Sequence, residues 1–403
     1  MTAEALSPFG RGVNAPLAGR TIVQIAPPAG GGDQRATLAV AEALVEAGAR
    51  ALVVSDPGDL ASEAQAVGAL HVPFPASTNN PLAMMVNVRR LAGVLSAERA
   101  DLVHARSRAS AWVALGACRR LGRALVTTIP GEGPETRPRT SFESAVADGD
   151  LVIAASNYAA ERTAEAFPGA RPRLRVVRPG LDVARLSANA VDRQRVARAR
   201  EGWGAAPHER VVLAPGRLAP ARGQALVVEA AALIARRGPE DLRFVLAGDA
   251  QKASFGRELD ALAVARGDKA LVRRIGAEAD RPAAFVGATV VVFPAREPEG
   301  VTRAVIEAAA AGALTIVADV GAASEIVAAP PHAPADQRTG WLVPPADAAA
   351  LAEAIEAALG LGASAREAIR RRSRERIASS YSLARMTRDT LGVYAEALRQ
   401  RGA

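Results

Sequence analysis

The sequence predicts a doubly wound α/β protein in which one architecture is built twice, as two domains facing a central cleft. Three observations carry this. Short, near-continuous apolar runs rich in β-branched residues recur along the chain, segments of helical length separate them, and the alternation restarts near residue 185. Such runs suit a parallel sheet covered on both faces by helices, with ligands beyond the carboxyl ends of the strands.

"TIVQIA" (21–26) is the first strand, followed by "GGG" and the helical "RATLAVAEALVEAG" ending at Gly48. "ALVVSD" (51–56), "DLVHA" (101–105), "ALVTTI" (124–129) and "DLVIAAS" (150–156) follow, and "RLRVVRPGLD" (173–182) closes the first half. The arginine-rich segment 184–202 bridges to "RVVLAPGRL" (210–218). "RFVLAGD" (243–249), "LVRRIG" (271–276), "TVVVFP" (289–294) and "LTIVAD" (314–319) then alternate again with helices.

Composition agrees with a globular chain of this kind. Its 403 residues exceed what one ordinary core accommodates, and with 49% hydrophobic but only 3% aromatic residues the cores must be aliphatic. No run of about 18 uncharged apolar residues exists to span a membrane. Residues 1–19 lack an apolar signal core and read as a loose leader. Cys118 is the single cysteine, which excludes an internal disulfide and fits a cytoplasmic location.

The net charge of +8 comes almost wholly from arginine, since Lys252 and Lys269 are the only lysines. A basic chain is drawn to phosphates. The clusters at 192–200 and 369–376 read either as solvated helix faces or as peripheral contacts with an anionic membrane. Nucleic acid is not an expected partner, because so few aromatics are available to stack on bases.

Two stretches carry candidate chemistry. "GRLAPARG" (216–223) follows a strand and precedes a helix, so Gly216 permits a tight turn with Arg217 and Arg222 on either side of the loop. Two guanidinium groups and free helix amides would cradle a diphosphate, although a plain βα turn with surface arginines reads the same way. "FPAREPEGVTRAVIEAAAAG" (293–312) places Glu299 just before a helix and Glu307 eight residues on, about 12 Å along the axis. Two carboxylates so spaced suit the hydroxyls at the two ends of a sugar nucleotide; a helix with an acidic first turn is the alternative.

Other constellations lead elsewhere. The glycines at 30–32 do not form G-x-G-x-x-G, which argues against a dinucleotide site. His71, His104, His208 and His332 lack metal-ligand spacing, and neither Ser107 nor Ser156 has a histidine–acid pair beside it in sequence. His104 ends a strand towards the expected cleft, either touching a ligand or serving as a hydrogen-bonded structural residue.

Taken in order, "GRLAPARG", "LAGD", "FPAREPEGVTRAVIEAAAAG", "GAASEIV" and "TGWLVPPAD" resemble the C-terminal half of retaining glycosyltransferases of family 4, which have the GT-B fold. "GGGDQRATLAVAEALVEAG", "VHARSRASAWVAL", "TTIPG" and "VVRPGLD" match the first half, so the resemblance covers about 20–395. It implies an acceptor-side domain over 1–185, a nucleotide-sugar domain over 186–380 and a final helix, 381–403, crossing back to the first domain.

The same resemblance implies a hexosyl transfer from a nucleoside-diphosphate sugar to a glycan or lipid-linked acceptor, with no metal and no further cofactor. Arg217 and Arg222 would hold the diphosphate, Glu299 the donor hexose and Glu307 the ribose. Gly300, Val301 and Thr302 would turn backbone amides towards sugar and phosphate, with Gly31 and Gly32 opposite across the cleft. Pro130 and Gly131 would lie on the acceptor side with His104. Pro130 stands where the family often has histidine, and Val301–Thr302 replace its usual aromatic pattern. These departures leave open a catalytically degenerate GT-B scaffold or a sugar-nucleotide epimerase.

Overall fold

The computed structural model describes residues 17–26, 32–76, 78, 80–129, 131, 141–238, 241–267 and 271–402. Residues 1–16 of the leader, Gly31 and Pro130 therefore fall outside the described residues, while Leu17, at the leader's end, is buried in the first unit's core. The chain divides into two compact units, one of residues 1–180 with 383–403 and the other of residues 181–382.

The first unit alternates β1 (Thr21–Ile25), α1 (Gly32–Glu46), β2 (Arg50–Ser55), α2 (Leu60–Ala66), β3 (Leu70–Pro73), α3 (Pro81–Ala97), β4 (Leu102–Ala105) and α4 (Arg108–Leu121). It continues through β5 (Ala124–Thr128), α5 (Ser141–Ser144), β6 (Leu151–Ala154), α6 (Asn157–Ala166) and β7 (Leu174–Val176). All seven strands run parallel in the order β3-β2-β1-β4-β5-β6-β7. Strand order reverses between β1 and β4, where Val23 pairs with Val103 and Ile25 with Ala105.

Local signals start the helices. Asn80 accepts from the amides of Leu82 and Ala83, with Pro81 preset for the first turn of α3. Ser107 and Ser110 form a reciprocal capping box at α4, and Ser156 caps α6. Both strand-ending serines thus serve backbone amides. Cys118 is buried on α4, and burial pushes its thiol up to about 12, so it is an inert core residue.

The second unit contains α7 (Val183–Leu186), α8 (Arg193–Gly202), β8 (Arg210–Pro215), α9 (Gln224–Ala235), β9 (Leu242–Ala247), α10 (Ala253–Ala265), β10 (Val272–Ile275) and α11 (Arg281–Gly287). β11 (Val290–Phe293), α12 (Arg303–Ala310), β12 (Leu314–Ala318), α13 (Ala323–Ile326), β13 (Trp341–Val343), α14 (Ala348–Leu359) and α15 (Ala363–Ser380) complete it. Its six parallel strands run β10-β9-β8-β11-β12-β13, reversing between β8 and β11. The last helix, α16 (Leu383–Gln400), packs Met386, Leu391, Tyr394 and Leu398 into the first unit's core beside Val40 and Leu44 of α1.

Several arginines of the two clusters are held within the fold, and others stay on solvated helix faces, as with Arg371, whose side chain is 66% exposed. Arg195 grips Asp280 through two bonds of 2.7 Å, and Arg200 donates to the carbonyls of Ala206, Glu209 and Gly287. On α15, Arg372 donates to the Arg338 carbonyl, and Arg376 to those of Glu325 and Ile326. Arg374 pairs with Glu367 at 2.6 Å. A guanidinium with several fixed donors is well suited to fastening loop carbonyls.

Candidate active site

His104 is enclosed by protein groups in the first unit. It is 1% exposed, and its Nδ1 lies 2.6 Å from the Tyr394 hydroxyl and its Nε2 2.7 Å from Thr128 Oγ1. Both ring nitrogens are occupied by protein groups, so the hydrogen-bonded structural alternative holds. Burial, then the nearby Arg106 charge, hold its pKa well below the usual 6.5.

An imidazole of this kind binds a proton more readily when unfolded. The stability it contributes is present above pH 6.5 and is lost as pH falls below that value. Denaturant titrations should show stability declining from pH 7.5 to 5.5, with His104→Gln flattening the decline and costing about 1–3 kcal/mol at pH 7.5. An unchanged pH slope in that variant would contradict the assignment.

The second unit carries the candidate arginines and acids. The loop after β8 and the loop after β11 leave the sheet where strand order reverses, which is where open α/β sheets bind ligands. Gly216 turns with φ 116° and donates its amide to the Ala247 carbonyl at 2.8 Å. Arg217 follows it exposed, with no hydrogen bond or ion pair to its guanidinium among the described residues. Arg222 pairs with Glu299 at 2.9 Å, so the second arginine and the first acid converge from segments 77 positions apart.

Close backbone contacts set this arrangement. Gly223 follows Arg222 with φ 74°, and a Cβ there would lie 1.8 Å from the Pro294 carbonyl oxygen. The Arg296 amide donates to the Ala221 carbonyl at 2.8 Å, fastening the two loops. Sequence reasoning missed Gln224, which is 3% exposed. Its amide group donates to the Arg217 carbonyl at 3.1 Å and accepts from the Ala219 amide at 3.3 Å, closing the loop between the arginines. A polar residue opening a mostly apolar helix was the available signal.

Glu299 precedes α12, as its spacing predicts, and Thr302 occupies the N-cap position. The Thr302 hydroxyl donates to Glu299 Oε2 at 3.0 Å and caps no first-turn amide. It therefore fixes the carboxylate and leaves the helix amides to other acceptors. Gly300 is buried, and Val301 packs against the second unit's core. Gly321 and Ala322 hold the Glu299 backbone from the far side: the Ala322 amide donates to the Glu299 carbonyl at 3.1 Å.

Glu307 lies within α12 with its side chain only 4% exposed. Its Oε1 accepts from Arg303 at 2.8 Å and from Arg281 at 3.1 Å, while Oε2 is buried with no partner among the described residues. Arg281 also lines a cavity of about 340 Å³ with Gly216, Arg217, Asp249 and Glu278. The Glu278 carboxylate is positioned there by the Trp203 indole N–H at 3.1 Å. Gly32 opens α1 and Gly131 lies exposed in a turn, both in the first unit.

A family profile described as "Glycosyltransferase Family 4" matches residues 30–185, and one described as "Glycosyl transferases group 1" matches 209–360. A D-inositol 3-phosphate glycosyltransferase of Salinispora arenicola is 30% identical over 337 residues, covering 76% of this chain and 72% of the relative.

The chain belongs to the group 1 glycosyltransferases.

Another D-inositol 3-phosphate glycosyltransferase, from Jonesia denitrificans, is 30% identical over 66% of this glycosyltransferase and 61% of its own length. A GDP-mannose-dependent alpha-(1-6)-phosphatidylinositol monomannoside mannosyltransferase of Mycolicibacterium smegmatis is 30% identical over 54% of this chain and 55% of its own. The match thus spans less than two thirds of these two relatives. A Rickettsia africae glycosyltransferase structure superposes with TM-score 0.81 at 24% identity, over 94% of this chain and 99% of that one. An Anabaena protein crystallised with UDP gives 0.75 at 20% identity, over 94% and 100%. The fold of this glycosyltransferase is GT-B.

Proposed function

We propose that this glycosyltransferase moves a hexose-like sugar from a nucleoside-diphosphate donor to a glycan or lipid-linked acceptor in envelope polysaccharide or lipopolysaccharide synthesis. The observation that carries the reading is the pairing of Arg222 with Glu299, beside the loop that also carries Arg217, at the reversal point of the six-stranded sheet. In this reading Arg222 parts from Glu299 as the donor enters. The two arginines then take the diphosphate, the Glu299 carboxylate accepts from hexose hydroxyls, and the free amides opening α12 meet phosphate oxygen. The orphan Oε2 of Glu307 accepts from a ribose hydroxyl, and the cavity beside Arg217 houses the nucleoside.

The transfer retains configuration at the anomeric carbon and uses no metal. The acceptor hydroxyl forms its bond to that carbon on the leaving-group face, the bond to the diphosphate breaks, and a phosphate oxygen takes the hydroxyl proton. Arg217 and Arg222 stabilise the charge that develops on the departing diphosphate. The Mycolicibacterium relative's phosphatidylinositol monomannoside supports a lipid-linked acceptor, and the Anabaena complex with UDP supports a nucleotide donor. The proposed place of action is the cytoplasm, with peripheral contact at an anionic membrane.

Thermal shift and turnover against UDP-, GDP-, ADP- and dTDP-sugars test this. One donor should raise the melting temperature and be slowly hydrolysed, and Arg217→Ala should abolish the shift without altering the unliganded melt. No shift with any nucleotide would overturn the proposal. Binding without turnover, even with acceptors present, would give the scaffold reading; conversion of the donor without acceptor would give the epimerase.

A further inference from the structure

The cavity beside Arg217 is walled unevenly. Pro215 closes β8 with Gly216 after it, Ala247 closes β9 with Gly248 after it, and Ala277 lies just past β10, so this side carries no long side chain. A Cβ on Gly248 would stand 2.0 Å from the Gly216 carbonyl oxygen, so close backbone packing keeps the surface bare. A bare apolar wall suits one face of a planar base.

Glu278 and Arg281 supply polar groups at the entry to α11. The Trp203 indole, 0% exposed, donates to Glu278 Oε2 at 3.1 Å, and the Asp280 amide donates to Oε1 at 3.3 Å. Each oxygen keeps a lone pair for another donor, so the carboxylate is anchored yet still able to accept. Arg281 donates one N–H to Glu307 Oε1 at 3.1 Å, and its other guanidinium donors have no partner among the described residues. An acceptor-only group and a donor-only group therefore line one cavity, three residues apart.

We propose that Glu278 and Arg281 select guanine, so that the donor is a guanosine-diphosphate sugar. Guanine presents two N–H donors side by side, at N1 and the 2-amino group, and two acceptors, O6 and N7, on the adjoining edge. The carboxylate accepts from the first pair and the guanidinium donates to the second. Uracil and thymine offer one N–H between two carbonyls, which a carboxylate repels. Adenine sets the lone pair of N1 beside its amino group, and cytosine does the same with N3. Each of these bases leaves the anchored carboxylate facing a lone pair, and a polar group without its partner is a strong basis for rejection. The inference rests on the proposed transferase reading and names its donor base.

Titration calorimetry of the full chain with GDP, IDP, UDP, ADP and dTDP tests it. GDP should bind about tenfold or more tightly than UDP, ADP or dTDP, and about fivefold more tightly than IDP, which lacks only the 2-amino group. Glu278→Gln keeps an oxygen for the Trp203 indole. It should weaken GDP about tenfold, leave UDP no weaker, and remove the gap between GDP and IDP. UDP, ADP or dTDP binding as tightly as GDP overturns the inference, and so does a folded Glu278→Gln protein with the parent's preference. The parent's GDP–IDP comparison changes only the ligand, so it decides the matter even where the variant fails to fold. In each of these cases the transferase reading stands if Arg217→Ala abolishes the binding that remains. Absence of binding by every nucleotide overturns both.

Discussion

Glu299→Ala is expected to lower sugar transfer at least a hundredfold while the protein remains folded. The carboxylate ends a chain of contacts built to present it: Arg222 at 2.9 Å, the Thr302 hydroxyl at 3.0 Å, and backbone held by Ala322. A hundredfold loss corresponds to about 2.7 kcal/mol of transition-state stabilisation. That is the scale on which removal of one well-placed polar partner acts in a preorganised site. The side chain is about one-fifth exposed, and its partners can turn to solvent, so the fold should lose less than the site. Transfer rates with saturating donor and the variant's melting curve check this. Near-normal turnover in a folded Glu299→Ala protein would remove Glu299 from the mechanism.

The second large effect should come from a residue carrying no functional group. Gly321→Ala would place a Cβ 1.9 Å from the Glu299 carbonyl oxygen, 2.7 Å from its nitrogen and 2.9 Å from its carbonyl carbon. All three are backbone atoms, so no side-chain rotation relieves the clash, and φ at this position is already 60°. The loop carrying Glu299 must shift, or α13 must. We expect a stability loss of about 1–3 kcal/mol and a transfer defect as large as that of Glu299→Ala. The two variants separate charge from position. Wild-type turnover in Gly321→Ala would show that the site tolerates a displaced carboxylate.

Much of this architecture is legible in the chain itself. The central strands are β-branched runs buried on both faces, so "TIVQI", "RALVVS" and "VVVF" announce themselves without a partner in view. β3 and β13 do not. "LHVP" is exposed at both ends on a sheet edge, and "WLV" is three residues at the other sheet's edge. The exposed ends of β3 and the three-residue length of β13 leave too short a pattern for composition to betray them.

The site divides in the same way. Glu307 takes its place from one helix and Glu299 from the turn before it, and Arg217 and Arg222 from one loop, so local spacing and turn chemistry suffice to pick them out. The partners of these residues lie far along the chain. Arg281 reaches Glu307 from 26 residues away, and Gly321 meets Glu299 only because β12 lies beside β11.

The sequence by itself determined two parallel sheets, their alternating helices and the segments carrying the candidate acids and arginines. Each depends on periodicity, capping or backbone freedom within a few residues. Only the tertiary structure decided that His104 is a buried, hydrogen-bonded imidazole, that Arg200, Arg372 and Arg376 clamp carbonyls distant in sequence, and that Arg222 meets Glu299. A side chain's role there depends on what the fold places within about 3 Å of it, and no local pattern encodes that distance.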